Sequence, residues 1–569
     1  MIVIVIWQLL RSKLVTPQLN TSMVRKKILL TSLLVVYCSL LFAQQSIRFI
    51  SFKDKNGTPF SLQKPQEFLS QKSIDRRTKQ KITISAMDLP VNPTYLTGIR
   101  NAGGKVFYTS RWLNGAVVQA TDAAFSQISQ LNFVQGSRLL SNRTSIGDVA
   151  PAQNFSLPAT NLGSPVLNYG NSTTQNTMLG INEMHSQNFT GKGMTIAVFD
   201  GGFTNVNNIK AAAYSRMNIA GGYNFARGNS FVFQDDSHGS EVLSVMAGYV
   251  PNQFIGGAFD ATYYLFVTED ANQENPIEEA FWLVAAERAD SLGVDIINSS
   301  LGYNTFDLTN LNYTQKDLNG KTSLISQAAT CAARTGMLVV NSMGNFYSPE
   351  PFWTKMRMPA DADSIMSVGA VNANEEYTTL SLQGYTEDNR VKPDAAAMGL
   401  ATFYLTVNGN VSAGSGTSYA APLVASLAAG IWQANPQMTN MQILQAIRRA
   451  GSRFNSPNTQ LGYGIPTFRR AMNILGVDEE LSTQTNIYPT ILSTTNTVFC
   501  QFPAELRQAT FSYQLTDITG KIHYQADNQL VDNETISIKV ANKTLPAGIY
   551  FLNIHINNKT IYRKIISYQ

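Results

Sequence analysis

Cysteine and histidine are almost missing from this 569-residue chain, which has 3 of the first and 4 of the second. So few cysteines exclude a disulfide framework, and no cysteine–histidine spacing suits zinc. Cys331, in Gln327-Ala328-Ala329-Thr330-Cys331-Ala332-Ala333, reads as a helix position among small residues and hence as a buried, inert thiol. Charge is sparse as well, 14% of residues with a net charge of +5. There is no Lys/Arg run interleaved with aromatics, so no nucleic-acid partner is expected. Tandem repeats and long low-complexity segments are absent too. Hydrophobic content is nevertheless 44%. With this length, that describes globular units with sizeable cores, roughly two to four of them.

What is present concentrates in four blocks. Gly416-Thr417-Ser418-Tyr419-Ala420-Ala421-Pro422 reads as a tight turn running into a closely packed helix. A serine there sits at the positive end of the helix dipole, beside unsatisfied N–H groups that can stabilise an oxyanion. Thr195 to Asp200 reads as a buried strand ending in a carboxylate, followed by Gly201-Gly202. Asp236-Ser237-His238-Gly239-Ser240-Glu241 places an imidazole before a helical stretch, Glu241 to Gly248. Val339 to Asn345 is another apolar strand, ending in a glycine and an amide. Taken singly, Asp200 is a turn carboxylate, His238 a helix-capping histidine and Asn345 a strand-end amide as readily as anything else. Together, in the chain order Asp, His, Ser, they point to nucleophilic catalysis.

These residues resemble the subtilisin-like serine peptidases, the subtilases, from about Gly191 to Ala471. Asp295-Ile296-Ile297-Asn298-Ser299-Ser300-Leu301-Gly302 is similar to the family strand that pairs with substrate backbone. Val391-Lys392-Pro393-Asp394 and Leu461-Gly462-Tyr463-Gly464 resemble later family signatures. The resemblance implies an α/β fold with a three-layer, parallel-sheet catalytic domain. It implies that His238 acts as base for Ser418, that Asp200 orients His238, and that Asn345 completes an oxyanion hole. Ser300, Leu301 and Gly302 would then bind substrate. The Gly-Gly after Asp200 departs from the hydroxyl residue that many members carry there. No cofactor is required; members often carry structural Ca²⁺, for which this sequence shows no clustered Asp/Asn loop. Asp235 and Asp236 read as solvated carboxylates, with Asp236 near the start of the next helix. Glu269, Asp270, Glu274, Glu278 and Glu279 form an acidic stretch, read either as a helix start or as part of the substrate cleft.

The flanks read differently. Arg25-Lys26-Lys27, an apolar run from Ile28 to Phe42 and Ala43-Gln44-Gln45 describe a signal peptide that starts at Met23. The first 22 residues are then an extension, and Cys38 leaves with the leader. From Gln44 to Arg143 the predicted elements are a strand at Ile47–Phe52, a helix at Gln66–Lys81 with Phe68, Leu69 and Ile74 on its apolar side, and a short helix at Thr94–Asn101. Strands at Lys105–Ser110 and Trp112–Ala120, a helix capped by Thr121 and a strand at Phe133–Val134 complete a ferredoxin-like α/β unit. It resembles the inhibitory subtilase propeptide, an ordinary accessory domain being the other reading. Beyond about Asn486, short β-rich runs predict a small antiparallel sandwich. Ile487-Tyr488-Pro489, Asp517-Ile518-Thr519-Gly520-Lys521 and Leu545-Pro546-Ala547-Gly548-Ile549-Tyr550 resemble a type IX secretion sorting domain of Bacteroidota; a carbohydrate-binding or adhesive sandwich is the alternative.

The expected organisation is thus an extension and leader over 1–43, a propeptide over 44–143, a linker with the processing site over 144–178, a catalytic domain over 179–482 and a sorting domain over 486–569. The expected function is a secreted or surface-attached serine endopeptidase acting on proteins and peptides. Its other partners would be its own propeptide as inhibitor and the type IX machinery. A catalytically silent subtilase-like module for binding or adhesion is the rival reading.

Overall fold

The computed structural model describes residues 45–142, 149–153, 155–159, 167–208, 216–346, 353–475, 484–492, 497–517, 521–541, 545–556 and 559–568. The expected leader, parts of the expected processing segment and residues 518–520 of the expected sorting motif lie outside the described residues. Among those described, no helix is long and apolar enough to cross a membrane.

The largest core is built on seven strands: β5 (Thr195–Asp200), β6 (Asn218–Asn224), β7 (Thr262–Val267), β8 (Ile296–Ser299), β9 (Leu338–Ser342), β10 (Met366–Val371) and β11 (Ala395–Met398). Their order is β11-β10-β9-β8-β5-β7-β6, and every neighbouring pair is parallel. Continuous apolar runs such as Thr-Ile-Ala-Val-Phe suit strands covered on both faces. Alternation does the rest. Ile196 and Val198 enter one apolar cluster with Val242 and Leu423, while Ala197 and Phe199 enter a second with Phe281 and Ile325. The first face is covered by α4 (His238–Ala247) and α7 (Thr417–Ala434), the second by α5 (Ile277–Leu292) and α6 (Leu324–Arg334). Helix α7 is buried at every position from Thr417 to Trp432, as an all-round apolar helix must be. This is the three-layer α/β domain that the resemblance implied.

Residues 45–142 form a four-stranded antiparallel sheet of β1 (Gln45–Phe52), β2 (Lys105–Ser110), β3 (Gly115–Thr121) and β4 (Val134–Ser141), in the order β2-β3-β1-β4. One face packs on α2 (Pro93–Asn101) and α3 (Asp122–Ser129), through Ile50, Ile99, Val118 and Phe125. The opposite face, with Phe49, Phe107, Tyr108 and Trp112, joins the cluster containing Phe281 of α5. That order is the ferredoxin-like one, with Thr121 capping α3 as read from the sequence. The helix expected at Gln66–Lys81 is corrected. Pro65–Glu67 is a 3₁₀ turn, and Ser70 caps the separate helix α1 (Gln71–Lys79). Its buried face is Ser73, Arg76 and Arg77 rather than an apolar stripe, because it docks on carboxylates of the neighbouring domain. The strand expected at Trp112 begins at Gly115, since Ser110 to Asn114 makes a turn. The last strand extends to Ser141 because β1 pairs with it throughout.

The C-terminal unit stacks a three-stranded sheet (Asn486–Tyr488, Thr497–Gln501, Thr535–Lys539) and a five-stranded sheet around Val498, Cys500, Leu515, Leu552 and Ile565. It is the expected sandwich with one difference. Ile491–Leu492 pairs parallel to Lys559–Ser567, because the chain crosses from one sheet to the edge of the other.

Candidate active site

Parallel strands deliver their carboxyl ends to one edge of the sheet, where ligand sites of open α/β sheets lie. Asp200 ends β5, Ser300 follows β8 and Asn345 follows β9. Asp200 is buried, and its Oδ1 accepts from His238 Nδ1 and from the Gly201 backbone N–H, both at 2.8 Å. Nδ1–H is therefore the donor, and the lone pair is left on Nε2. Helix α4 begins at His238, three residues earlier than expected, so the imidazole stands on its first turn. Its ring lies 6.2 Å from that of Tyr419, the residue after Ser418.

Ser418 occupies the first turn of α7, and two arrangements hold it. Pro422 cannot donate an N–H to the carbonyl four residues before it, which is that of Ser418. Ser300 Oγ donates to that carbonyl instead, at 2.9 Å, tying the helix start to the end of β8. Asn345 Oδ1 accepts from Thr417 N at 2.8 Å and Thr417 Oγ1 at 2.9 Å, which orients the amide. A Cβ on Gly416 would sit 2.8 Å from Ser418 Oγ and 3.2 Å from Asn345 Nδ2. The absent side chain at 416 is thus what keeps open the space that both polar atoms face.

A cavity of about 370 Å³ adjoins Asp200 and His238 and is lined by Asp236, Glu269, Asp270, Glu274, Glu278, Leu301 and Asp307 among others. Glu278 and Glu279 of the acidic stretch stand in the first turn of α5, but only part of the stretch lines the cavity. Glu279 leaves the cleft: it accepts from Tyr313 Oη at 2.6 Å and from Ile325 N at 2.9 Å, at the start of α6. Glu278 lines the cavity while accepting the N–H groups of Asp270 and Asn275. Glu269 bonds the Tyr303 hydroxyl, and burial with the nearby Glu274 carboxylate pushes it up to about 8. The acidic stretch marked Glu269 in the sequence but not its partner, Tyr303, which reaches it from beyond β8. Asp235 is not simply solvated. Arg227 pairs with it at 2.7 Å and Asn224 Nδ2 donates to it at 3.0 Å.

Burial disfavours a charged His238, but Asp200, and behind it Asp236 and Glu241, outweigh this and raise the imidazole to about 9. Leu301 lines the cavity, its carbonyl accepting from Asn341 Nδ2 at 3.1 Å, and a Cβ on Gly302 would meet Arg357 Cβ at 2.8 Å. Cys331 is buried on α6, which pushes its thiol up to about 11. Among the described residues, no group of three or more His, Cys, Asp or Glu is placed to hold a metal ion.

Comparison with known proteins places this geometry in a family. Residues 191–464 match the subtilase family, residues 48–153 the peptidase S8 propeptide domain of Bacteroidota, and residues 486–568 the secretion system C-terminal sorting domain. The chain thus carries a domain of the subtilase family, with a propeptide domain before it and a sorting domain after it. Subtilisin E of Bacillus subtilis (strain 168) is similar at 29% identity over 264 residues, 46% of this chain and 61% of that one. Minor extracellular protease Epr of the same organism is similar at 26% over 287 residues, 49% of this chain and 38% of that one. Alkaline elastase YaB of Bacillus sp. (strain YaB) is similar at 28% over 301 residues, 52% and 69% of the two chains. This chain thus spans less than two thirds of the length of Epr and of subtilisin E. Among solved structures, MycP1 from Mycobacterium smegmatis is similar at 22% identity, over 58% of this chain and 92% of that one, with a TM-score of 0.43.

Proposed function

We propose that this chain is a secreted serine endopeptidase that cleaves proteins through Asp200, His238 and Ser418. The observation that carries the reading is the 2.8 Å Asp200–His238 bond, with the His238 ring 6.2 Å from that of Tyr419, the residue next to Ser418. A serine hydroxyl needs a base at neutral pH. His238 Nε2 takes the Ser418 proton as Oγ attacks the peptide carbonyl, and the imidazolium then protonates the leaving amine. Asp200 holds the tautomer and stabilises that imidazolium. Asn345 Nδ2 and the Ser418 backbone N–H receive the developing oxyanion. Water then attacks the acyl-enzyme by the same steps in reverse order. The backbone of Ser300–Gly302 binds the substrate chain, and no cofactor takes part. A fluorophosphonate probe should label Ser418 in the matured protein; an unlabelled, folded protein would instead identify a silent binding module.

The pH dependence follows from the charges around His238. Only the neutral imidazole is a base, and its neighbours raise it to about 9. The expected result is a kcat/KM that rises with pH through the neighbourhood of 9 and falls about tenfold per unit below it. Stopped assays from pH 5 to 11 on one peptide check this. A rate that climbed steadily towards about pH 4 would point to carboxylate chemistry instead.

The propeptide sheet packs on α5, consistent with an inhibitor that leaves after cleavage within roughly 140–178. The sorting domain supports delivery to the cell surface or beyond by type IX secretion. Deleting residues after Leu481 removes a sandwich that has its own core. The truncated enzyme should fold yet stay in the periplasm of a host with that pathway. Its appearance in the medium at the parent level would remove the sorting role.

A further inference from the structure

The chemistry above uses the Gly201-Gly202 pair after Asp200 only through the Gly201 N–H that Asp200 Oδ1 accepts. Neither glycine has a positive φ, so space rather than backbone conformation is what requires them. A Cβ on Gly202 would lie 2.4 Å from Asp236 N and 2.2 Å from Gln234 O. A Cβ on Gly201 would lie 3.0 Å from Asp236 Oδ2. The pair therefore lets the segment before His238 lie directly on the loop that follows β5, and brings one more carboxylate to the site.

We propose that Asp236 is a positioning residue for His238: it caps the helix that starts at the imidazole and sets a further negative charge beside it. This rests on the reading of His238 as the base. Ser237, at the N-cap of α4, makes no side-chain cap bond. Asp236 Oδ1 does the capping, accepting the His238 backbone N–H at 3.1 Å. Asp236 is itself anchored, its carbonyl accepting from Thr204 N at 3.1 Å and Thr204 Oγ1 at 2.9 Å. Asp200 holds the ring through one bond to Oδ1, and its Oδ2 has no partner among the described residues to fix the carboxylate further. The ring's aim then depends on the backbone of His238, which Asp236 fixes.

Other charges also face His238: Asp200 from β5, Glu241 from its own helix, and Glu269, Asp270, Glu274 and Glu278 across the cavity. The Tyr419 ring approaches from α7. Glu241 differs from Asp236 because its Oε2 takes the Tyr419 hydroxyl at 2.6 Å. Asp236 is the one that both bonds the His238 backbone and adds charge.

The test is the pH profile of Asp236 variants of the matured enzyme, read by peptide hydrolysis and by the rate of fluorophosphonate labelling. Asparagine retains the capping oxygen and removes the charge. Asp236→Asn should move the acid limb down by roughly half a unit to one unit. Its plateau kcat should fall about threefold to tenfold at unchanged KM, because the imidazolium formed in the transition state loses the same support. Asp236→Ala should show the same limb with a larger loss of kcat. Gly201→Ala, which pushes a methyl against the carboxylate, should move the limb in the same direction. A residue that merely stabilised the fold would lower the rate at every pH without moving the limb, and that result in the Asn and Ala variants overturns the proposal. A parent enzyme that the probe never labels removes the reading of His238 and this inference together. A labelled parent whose Asp236→Asn limb does not move removes this inference alone.

Discussion

Ser418→Ala should lower kcat by about 10⁶, the loss found for the nucleophile of subtilisin itself, and leave the full-length chain uncut when it is expressed alone. The magnitude follows from what remains. Without Oγ there is no acyl-enzyme, and His238 has no proton to take. What survives is the gap at Gly416 with Asn345 Nδ2 beside it, plus substrate binding, which in such enzymes still give about 10³–10⁴ over water. Asn345→Ala should cost roughly 10²–10³ in kcat by removing one oxyanion donor. It also frees the Thr417 N–H and hydroxyl that Asn345 Oδ1 now holds, so its effect on the turn before Ser418 should add to the loss. The pair separates nucleophile from electrostatics: a digest of unfolded casein by Ser418→Ala at the parent rate would show that the site lies elsewhere. Processing adds a second readout, since a trace of contaminating peptidase can mimic slow turnover but would not restore timed self-cleavage in every preparation.

What could be read in advance depended on how local the cause was. The carboxylate after an apolar strand, the imidazole at a helix start and the serine at a glycine turn are each specified within about six residues, so Asp200, His238 and Ser418 could be named as candidates from the sequence. The ferredoxin-like order was legible too, because turn residues and periodicity mark each element of that unit. Helix α1 was misjudged for the opposite reason. Its buried Arg76 and Arg77 look like a solvated face until Asp290 is brought to them from 213 and 214 positions away. The same holds for the Tyr303–Glu269 bond between residues 34 apart, whereas Asp235 and Arg227 are 8 apart in one loop and pair through the way that loop folds back. The carbonyl freed by Pro422 was foreseeable, but its partner Ser300 was not: that bond links residues 118 apart.

The second large effect is expected where the propeptide meets α5. Asp290 is fully buried there, with Arg76, Arg77 and Arg111 of the propeptide around it. Arg77 also reaches Asp88 at 2.7 Å, and Arg111 Nη2 holds Asp290 Oδ2 at 2.6 Å. Burial alone would raise the Asp290 carboxyl, but Arg76, Arg111 and Arg77 outweigh it and hold the group at about 2. The sign is that of a depressed acid: its contribution to docking is present above the ordinary carboxylate value and is lost only as pH falls towards 2. Mild acid should therefore not release the propeptide through this group. Removing the charge should. Asp290→Asn leaves three guanidinium groups out of water with one carboxylate fewer, a situation that costs about 3–5 kcal/mol. That corresponds to roughly 10²- to several 10³-fold weaker binding of the propeptide. Arg111→Ala should cost less, because its side chain is the least buried of the three at 11% exposed and Arg76 and Arg77 still hold Asp290. The measurement is the inhibition constant of the 44–143 fragment against mature enzyme, alongside the lag between chain cleavage and the onset of activity. In the mature enzyme alone Asp290 is uncovered, so Asp290→Asn should leave its kcat and KM unchanged. An inhibition constant equal to the parent's, with the lag unaltered, would mean that the apolar contacts of Phe49, Tyr108 and Trp112 hold the propeptide without the ion cluster.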